Sequence, residues 1–350
     1  MRNKIAYSFL ALLFFIIFPA ISIAQTGGSS TYKFLNLTNS ARMAALGGNS
    51  LPVKDHDITI ALQNPSLITK EMHKQLALSY TDYYSDINYG FVSYGSSIPK
   101  LGNYVASLQY INYGTFIRAD ETGEQFGEFT AGEFAMNIGW GRSLDSNFSI
   151  GANLKGIYSS FEEYNSFGMA VDVAGSYHNP ETNFTASLIF KNIGLQLDPY
   201  YSGNTEPLPF EIQMGLSKRL KHLPFRYYVV LTNLQKWDLT YEDPQLTDEG
   251  IDPFTGEVEE KSGVADFADK AMRHLVIGGE LLLSKNFSLR IAYNYQRRQE
   301  LKVDTKVSTV GFSWGFGFRI NRFHLSYARS TYHLAGSPNY ITIATNLSAF

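Results

Sequence analysis

The chain contains no cysteine among its 350 residues. Disulfide bonds, thiolate nucleophiles and cysteine-based metal sites are therefore excluded. Charged side chains are also scarce, because Asp, Glu, Lys and Arg make up only 17% of the chain and the formal net charge is −3. Without a basic run, the sequence offers no electrostatic footprint for nucleic acid. A glycine-rich phosphate loop and a nucleophile elbow are absent as well, so no motif of these kinds indicates a nucleotide cofactor or an α/β-hydrolase.

A long apolar run is also missing after the N-terminus. Arg2 and Lys4 precede an apolar stretch from Ile5 to Phe18, and small residues then provide a cleavage site before Gln25. These features predict a secretory signal peptide over residues 1–24. An uncleaved anchor helix is the alternative, but the stretch is short for a membrane span. No later segment reaches the ~20 apolar residues that a spanning helix needs, so the exported chain either stays in the periplasm or inserts as strands.

Aromatic side chains are abundant, with 23 Tyr, 25 Phe and 3 Trp. Many lie in strand-length segments in which apolar and polar residues alternate. From Thr309 to Phe318, every even position is large and apolar, and every odd position is Gly, Ser or Thr. A period of two places one set of side chains on each face of a sheet. Faces this unequal predict the wall of a membrane barrel, with lipid outside and a polar lumen inside.

The alternation divides residues 75–350 into about fourteen candidate strands. Short connections follow the even-numbered strands, and longer ones such as Gly114–Gly127 and Trp237–Lys270 follow most odd-numbered strands. Outer-membrane barrels have short periplasmic turns and longer outer loops. The sequence thus predicts an all-β fold, a transmembrane antiparallel β-barrel of the outer membrane, with the acidic 237–270 connection outside. The candidate strands are 75–84, 88–98, 102–112, 128–141, 147–159, 167–177, 183–194, 209–220, 225–236, 271–283, 286–296, 306–319, 321–332 and 339–350.

Residues 25–74 precede the barrel and lack its alternation. Asn39 or Ser40 can cap a short helix over residues 41–46, and Gly47 with Gly48 can end it in a left-handed conformation. The segment is too long for a tail, and its helix can bury an apolar face, so we predict a hatch or plug inside the lumen. A periplasmic arm outside the barrel is the alternative. The predicted domains are a signal peptide over 1–24, a hatch over 25–74 and a barrel over 75–350.

The same segment carries a family resemblance. Its parts are the stretch Tyr32–Leu35, the run Ser40–Gly48 and the turn Asn64-Pro65-Ser66. In these motifs the chain resembles the PorV/PorQ proteins of the type IX secretion system, and the Thr26–Ser30 lead is most similar to the PorQ branch. The turn departs slightly from the commoner Asn-Pro-Ala of that family. The motif positions are Ser40, Ala41, Arg42, Leu46, Gly47, Gly48, Asn64 and Pro65.

The resemblance implies a fourteen-stranded barrel similar to the FadL long-chain fatty acid transporters, in a role without chemistry. PorQ-type proteins anchor the surface protein PorZ in an attachment complex, beside the PorU sortase and its PorV barrel. That complex processes secreted cargo and joins it to lipopolysaccharide. A PorZ-like protein, with PorU/PorV-type members, is therefore the expected partner. Two alternatives stay open: FadL-like transport of a hydrophobic molecule, and a lipid hydrolase using His324 with Ser326 or His274 with Glu280.

The long acidic connection is the candidate surface for docking that partner. It could also bind Ca²⁺, although it lacks the spacing of an EF-hand loop, and a solvated loop is the ordinary alternative. The terminal Phe350 is the candidate signal for barrel assembly. Ile341 and Ile343 lie in the opposite phase to Phe350, so we expect a bulge or frayed end there. The candidate docking residues are Asp248, Glu249, Asp252, Glu257, Glu259 and Glu260.

Overall fold

The computed structural model describes residues 30–240, 263–302, 308–333 and 336–349. Fourteen antiparallel strands form one closed barrel in which each strand pairs with its neighbours in sequence and β1 pairs with β14. The predicted fold class and strand number are confirmed. The strands are β1 Gln75–Asp82, β2 Asn88–Ile98, β3 Gly102–Ala119, β4 Gln125–Ser143, β5 Phe148–Phe161, β6 Tyr164–Asn179, β7 Phe184–Asp198, β8 Glu211–Arg219, β9 Phe225–Leu231, β10 Leu275–Leu281, β11 Phe287–Asn294, β12 Phe312–Ile320, β13 Phe323–Ser330 and β14 Asn339–Asn346.

Three α-helices accompany the strands. They are α1 Ala41–Ala45, α2 Gly263–Arg273 and α3 Tyr295–Leu301. Within the described ranges, none of these helices is long and apolar enough to span a bilayer. Short 3₁₀ turns lie at Lys33–Asn36, Ile58–Ile60, Pro65–Leu67, Lys70–Met72 and Leu347–Ala349.

The alternation in sequence becomes an alternation of burial across the wall. In β5, Phe148 and Leu154 are exposed on the outer face, while Asn153 and Lys155 are buried on the lumen face. The same division holds along β12, where Phe312 and Trp314 face outward and Ser313 is buried. Apolar side chains outside and polar side chains inside are the pattern of a membrane barrel, because lipid solvates the first set and the protein interior the second.

Several predicted strand ends are wrong. The predicted loop Gly114–Gly127 consists mostly of strand, since β3 runs to Ala119 and β4 starts at Gln125. The predicted strand over 306–319 starts only at Phe312, because Gly311 has a left-handed φ of 92° that breaks the alternation and leaves Val310 buried. The predicted start of the strand over 271–283 lies in or next to helix α2, which ends at Arg273. The predicted end of the strand over 286–296 lies in helix α3, which begins at Tyr295.

The wall is much taller on one side than on the other. Strands β3 and β4 have 18 and 19 residues, whereas β9 and β10 have 7 each. At ~3.3 Å per residue, this is roughly 60 Å of chain against about 23 Å. A tilted strand crosses the membrane with about 9–11 residues, so β3 and β4 extend well beyond the apolar band.

Residues 30–74, called the lumenal segment below, lie inside this wall. Met43, Leu46, Leu51 and Ile58 in this segment are fully buried. The segment hydrogen-bonds to lumen-facing side chains from opposite sides of the barrel, including Thr342 on β14 and Ser217 on β8. The interior of the barrel is thus occupied by the chain itself.

Candidate functional site

Helix α1 in the lumenal segment is fixed at both ends by the predicted motif residues. The Ser40 hydroxyl accepts a hydrogen bond from the Met43 amide at 3.3 Å, so Ser40 rather than Asn39 is the N-cap. At the other end, Gly47 and Gly48 have left-handed φ angles of 74° and 93°, and their amides donate to carbonyls of the helix. Gly47 also packs too close to Val276 for a larger residue, because a Cβ there would lie 2.7 Å from its methyl. The helix therefore ends where β10 meets it.

The cap also positions Arg42, which is the centre of a buried charged cluster. Arg42 Nε and one Nη donate to the two carboxylate oxygens of Glu280 on β10, both at 3.0 Å. The other Nη donates to Asp57 at 3.0 Å, and Arg42 also donates to Asp55. A bidentate guanidinium–carboxylate pair of this kind is strong and geometrically specific. Arg42 therefore ties the lumenal segment to the barrel wall.

Two further arginines of the wall complete this cluster. Arg226 on β9 and Arg290 on β11 pair directly with Glu280 across the sheet, and each donates to it at 2.9 Å. Arg226 also reaches Asp55 at 3.3 Å. Three guanidinium groups thus face three carboxylates, and the cluster as a whole is neutral. We call Arg42, Asp55, Asp57, Arg226, Glu280 and Arg290 the charged cluster.

The pKa of Asp55 is lowered in this environment. Burial alone would raise it, but Arg42 and Arg226 outweigh burial and hold the pKa of the Asp55 carboxyl below its ordinary value. Burial likewise opposes the charged form of Arg42, yet the neighbouring carboxylates of Asp55 and Glu280 raise its pKa well above the usual range. Both groups are therefore charged near neutral pH.

The predicted turn Asn64-Pro65 forms a second anchor of the segment. Asn64 caps the 3₁₀ turn by accepting from the Ser66 amide and hydroxyl, and donates to Leu51 O and Ser176 Oγ on β6. On the facing wall, Gly151 leaves the space this turn needs, since a Cβ there would lie 2.3 Å from the Pro65 carbonyl carbon. Asn64 and Pro65 therefore dock the segment onto the wall.

The part of the lumen near the longer loops is apolar and aromatic. Tyr32, Phe34 and Leu35 of the segment pack into one buried cluster with wall residues such as Tyr89 and Tyr340. Tyr89 contacts Tyr340 edge-to-face at 6.4 Å between ring centroids, a favourable arrangement for aromatic rings. The charged cluster lies toward the short-turn end of the same lumen. We call these two parts the aromatic half and the charged half of the lumen. Further charged side chains, including the ion pair of Lys155 with Asp172, are buried elsewhere along the wall.

The wall is interrupted beside the aromatic half. The ladder between β7 and β8 ends at the pair Lys191–Glu211, although β7 continues to Asp198. At this point Lys191 and Asn192 are both buried and Asn192 has a φ of 57°, as in a β-bulge. Among the described residues, no backbone–backbone hydrogen bond joins β7 beyond Lys191 to the 199–210 connection, although the Glu206 amide donates to Gln196 Oε1 at 2.9 Å. We call this interruption the β7–β8 seam.

The lumenal segment covers the inner side of the β7–β8 seam. The Asn192 side-chain amide donates to Asn36 Oδ1 at 3.0 Å and to Pro209 O at 2.9 Å. The Thr31 amide donates to Pro207 O at 3.0 Å. On the outer side, apolar side chains of β7 above the bulge stay exposed, with Leu195 at 59%. Residues 31–36 are therefore the layer between the aromatic half of the lumen and the outside of the wall.

Other predicted sites have different outcomes. The docking candidates Asp248, Glu249, Asp252, Glu257, Glu259 and Glu260, Phe350 and residues 1–24 lie outside the described residues, so these predictions stay predictions. The hydrolase alternative paired His274 with Glu280, but the His274 ring contacts the carbonyls of Thr232 and Trp237 while Glu280 binds arginines. In the part of the chain that the structure describes, no hydrogen bond joins His324 to Ser326.

Sequence reasoning missed the partners of Arg42. Asp55 and the trio of Arg226, Glu280 and Arg290 were not predicted to meet it. The available signal was weak: the trio consists of charged residues in the lumen phase of three consecutive strands, and opposite charges in that arrangement pair across a sheet. The sequence pattern gives no indication that Glu280 contacts Arg42 of helix α1, because the two residues are 238 positions apart.

Comparison with known proteins identifies the fold but no family. No family model and no curated protein matches the chain. Among solved structures, the chain is similar to the toluene transporter TbuX of Ralstonia pickettii, with a TM-score of 0.50 and 8% identity over 89% of this chain and 99% of that one. The toluene transporter TodX of Pseudomonas putida also has a TM-score of 0.50, with 11% identity over 88% and 96%. A FadL homologue of Pseudomonas aeruginosa follows at a TM-score of 0.46, 11% identity and coverage of 88% and 98%.

At such low identity, the likeness concerns the barrel fold alone. The chain thus has the closed-barrel fold of the two toluene transporters. Transport is named for those two proteins and is not carried over to this chain by the fold alone. None of these comparisons supports the finer resemblance to the PorV/PorQ family.

Proposed function

We propose that the protein transports a hydrophobic small molecule across or into the outer membrane. The observation that carries this proposal is the position of residues 31–36, between an aromatic half-lumen and the β7–β8 seam. The likeness to toluene transporters adds support at the level of fold. The proposed substrate class rests on the buried cluster of Tyr32, Phe34, Leu35, Tyr89 and Tyr340, because such side chains favour an apolar or aromatic solute. Polar side chains, including Lys155 and Lys191, also line the small void beside this cluster.

The proposed route begins at the longer loops and passes through the aromatic half of the lumen. The void beside Leu35 and Phe91 has a volume of about 10 Å³, which is roughly the space of one water molecule. A solute therefore needs residues 31–36 to move aside. Their displacement would join the aromatic half to the β7–β8 seam, where exposed Ile193, Leu195 and Leu197 lead to lipid. In this mechanism the lumenal segment acts as a hatch, while Arg42 retains its far end on Glu280.

The test is to tether the hatch to the seam. Because the chain has no cysteine, Asn36→Cys with Asn192→Cys gives a unique pair, whose native side chains are 3.0 Å apart. A second pair, Thr31→Cys with Pro207→Cys, joins the same layers through neighbouring positions. A short thiol-specific cross-linker with a cleavable disulfide would close each pair. Uptake of radiolabelled toluene and oleate is then measured in cells lacking other uptake proteins for these probes.

We expect cross-linking to abolish uptake and reduction to restore it, while each single-cysteine variant behaves like the unmodified protein. Loss of uptake in a single-cysteine variant would point to misfolding of that variant, and the second cysteine pair, Thr31→Cys with Pro207→Cys, then decides the question. If the cross-linked barrel transports as fast as the barrel with its cross-link cleaved, the hatch mechanism is refuted. Uptake no greater than in cells without the protein would refute hydrophobic transport with these probes.

A second candidate function is anchoring of a surface protein, as the PorQ-like motif implies. The observation that favours it is the tall wall, since β3 and β4 carry exposed Phe116, Ile117 and Phe126 beyond the length that a membrane needs. A PorZ-like protein with PorU/PorV-type members would be the partner. Deletion of residues 246–261, compared with removal of the β3–β4 tip at 120–124, tests which loop holds it. If a purified PorZ-like protein binds neither the intact barrel nor either variant, the anchor proposal fails.

A further inference from the structure

A polar cavity of about 370 Å³ lies at the short-turn end of the barrel, outside the proposed transport route. It opens between residues 55–57 of the lumenal segment and the ends of β1, β12, β13 and β14. Arg319 and His324, which pair across β12 and β13, contribute its wall. Both lie in the lumen phase of their strands, so the cavity is inside the mouth of the barrel rather than on its lipid-facing surface.

Positive charge dominates this cavity. Lys285 from the β10–β11 turn, Arg319 from β12 and Arg322 from the β12–β13 turn all line it. Its carboxylates are Asp55 and Asp57, which already receive hydrogen bonds from Arg42. Among the described residues, no carboxylate forms an ion pair with Lys285 or Arg319. Since the charged cluster is balanced at three against three, Lys285 and Arg319 have no compensating carboxylate in the described part of the lining.

A volume of this size is typical of a small-molecule site, for which ~300–1,000 Å³ is common. Arginine and lysine side chains converging on one concave surface recognise phosphate or carboxylate groups through charge-assisted hydrogen bonds. We infer that this cavity binds a small anion with at least two negative charges, such as a phosphorylated compound or a polycarboxylate, entering from the short-turn end. The phosphate group could belong to a soluble molecule or to a phospholipid headgroup. The lumenal position of Arg319 and His324 favours the soluble source.

The experiment measures binding of labelled inorganic pyrophosphate to the full-length protein by equilibrium dialysis in a non-ionic detergent. Lys285→Gln/Arg319→Gln removes two cavity cations, whose exposed side chains are not needed for packing. Arg219→Gln/Lys221→Gln is the matched control, because it removes two exposed cations at the β8–β9 turn, outside the cavity. We expect at least a tenfold weaker binding for the first variant and less than a twofold change for the control. Binding should also weaken between 50 and 300 mM salt, as roughly expected for exposed charges over a Debye length of ~10 Å.

Equal loss in both variants would overturn the site, since binding would then follow net charge alone. Undetectable binding of pyrophosphate at low millimolar concentration would overturn it as well. The two sources are distinguished in nanodiscs. Competition with pyrophosphate by phosphatidic acid, a phosphomonoester, but not by phosphatidylcholine supports the site with a lipid headgroup as ligand. Equal binding in both lipids supports the soluble anion. Each outcome is independent of hydrocarbon uptake, so it does not depend on the proposed function.

Discussion

Glu280 is the residue on which the charged cluster depends, because three guanidinium groups donate to its two oxygens. Removing one partner of a buried ion pair leaves the remaining charges without compensation, which typically costs about 3–5 kcal/mol. We therefore expect Glu280→Gln to lower the free energy of unfolding by an amount in this range. The measurement is the urea midpoint of the barrel in detergent, together with protease sensitivity of the lumenal segment.

Glu133→Gln is the matched control for Glu280→Gln. Glu133 is equally buried in the lumen, but it accepts from the Tyr113 hydroxyl at 2.6 Å, and it forms no ion pair among the described residues. A neutral glutamine retains an oxygen for this contact, so only a small loss of stability is expected. Equal destabilisation by the two variants would show that the arginines do not depend on the Glu280 charge.

We expect Asp55 to make the attachment of the lumenal segment to the barrel wall weaken at low pH. Its pKa in the folded protein lies below the ordinary value of ~3.9, because Arg42 and Arg226 outweigh the effect of burial. A group with a lowered folded pKa stabilises the fold fully above its unfolded pKa, and this contribution is lost as the pH falls through the folded pKa. We expect the melting temperature of the native protein to fall below about pH 4 and that of Asp55→Asn to fall less. Parallel pH profiles of the two proteins would contradict this assignment.

At the scale of elements, the docking of the 65–67 turn depends on a missing side chain in β5. Gly151→Ala places a methyl group 2.3 Å from the Pro65 carbonyl carbon, so the turn or the strand must shift. Overpacking of this kind costs typically ~1–3 kcal/mol. Gly156→Ala is the control on the same strand, because a Cβ there meets nothing within 4 Å. We expect a lower urea midpoint for Gly151→Ala alone; unchanged stability of both variants would mean that the turn does not rest on β5.

The strands were predictable because a period of two is written into local sequence, and β2 matches its predicted bounds of 88–98. The caps of α1 were predictable for the same reason, since Ser40 and Gly47 act on their immediate neighbours. The upper ends of β3 and β4 were not, because strand outside the membrane no longer requires an apolar outer face. The Arg42–Glu280 pair and the β7–β8 seam depend on the closed barrel, which brings together segments that are distant along the chain.

At the scale of the whole molecule, the unequal wall and the position of the termini define a direction. Gln75 at the start of β1 pairs with Asn346 at the end of β14, so the barrel's chain begins and ends at the rim that carries the short turns. In outer-membrane barrels this rim faces the periplasm. The aromatic half of the lumen and the tall β3–β4 hairpin then face the outside, while the cationic cavity faces the periplasm.

Single cysteines test this orientation, because the chain has none of its own. Thr122→Cys lies at the exposed tip between β3 and β4, and His222→Cys lies at the exposed turn between β8 and β9. A maleimide coupled to a polymer too large for porins should label Thr122→Cys in intact cells. The same reagent should label His222→Cys only after the outer membrane has been permeabilised. The reverse labelling pattern would show the opposite orientation of the barrel, with the aromatic entrance in the periplasm. That orientation would exclude uptake from outside through the proposed route.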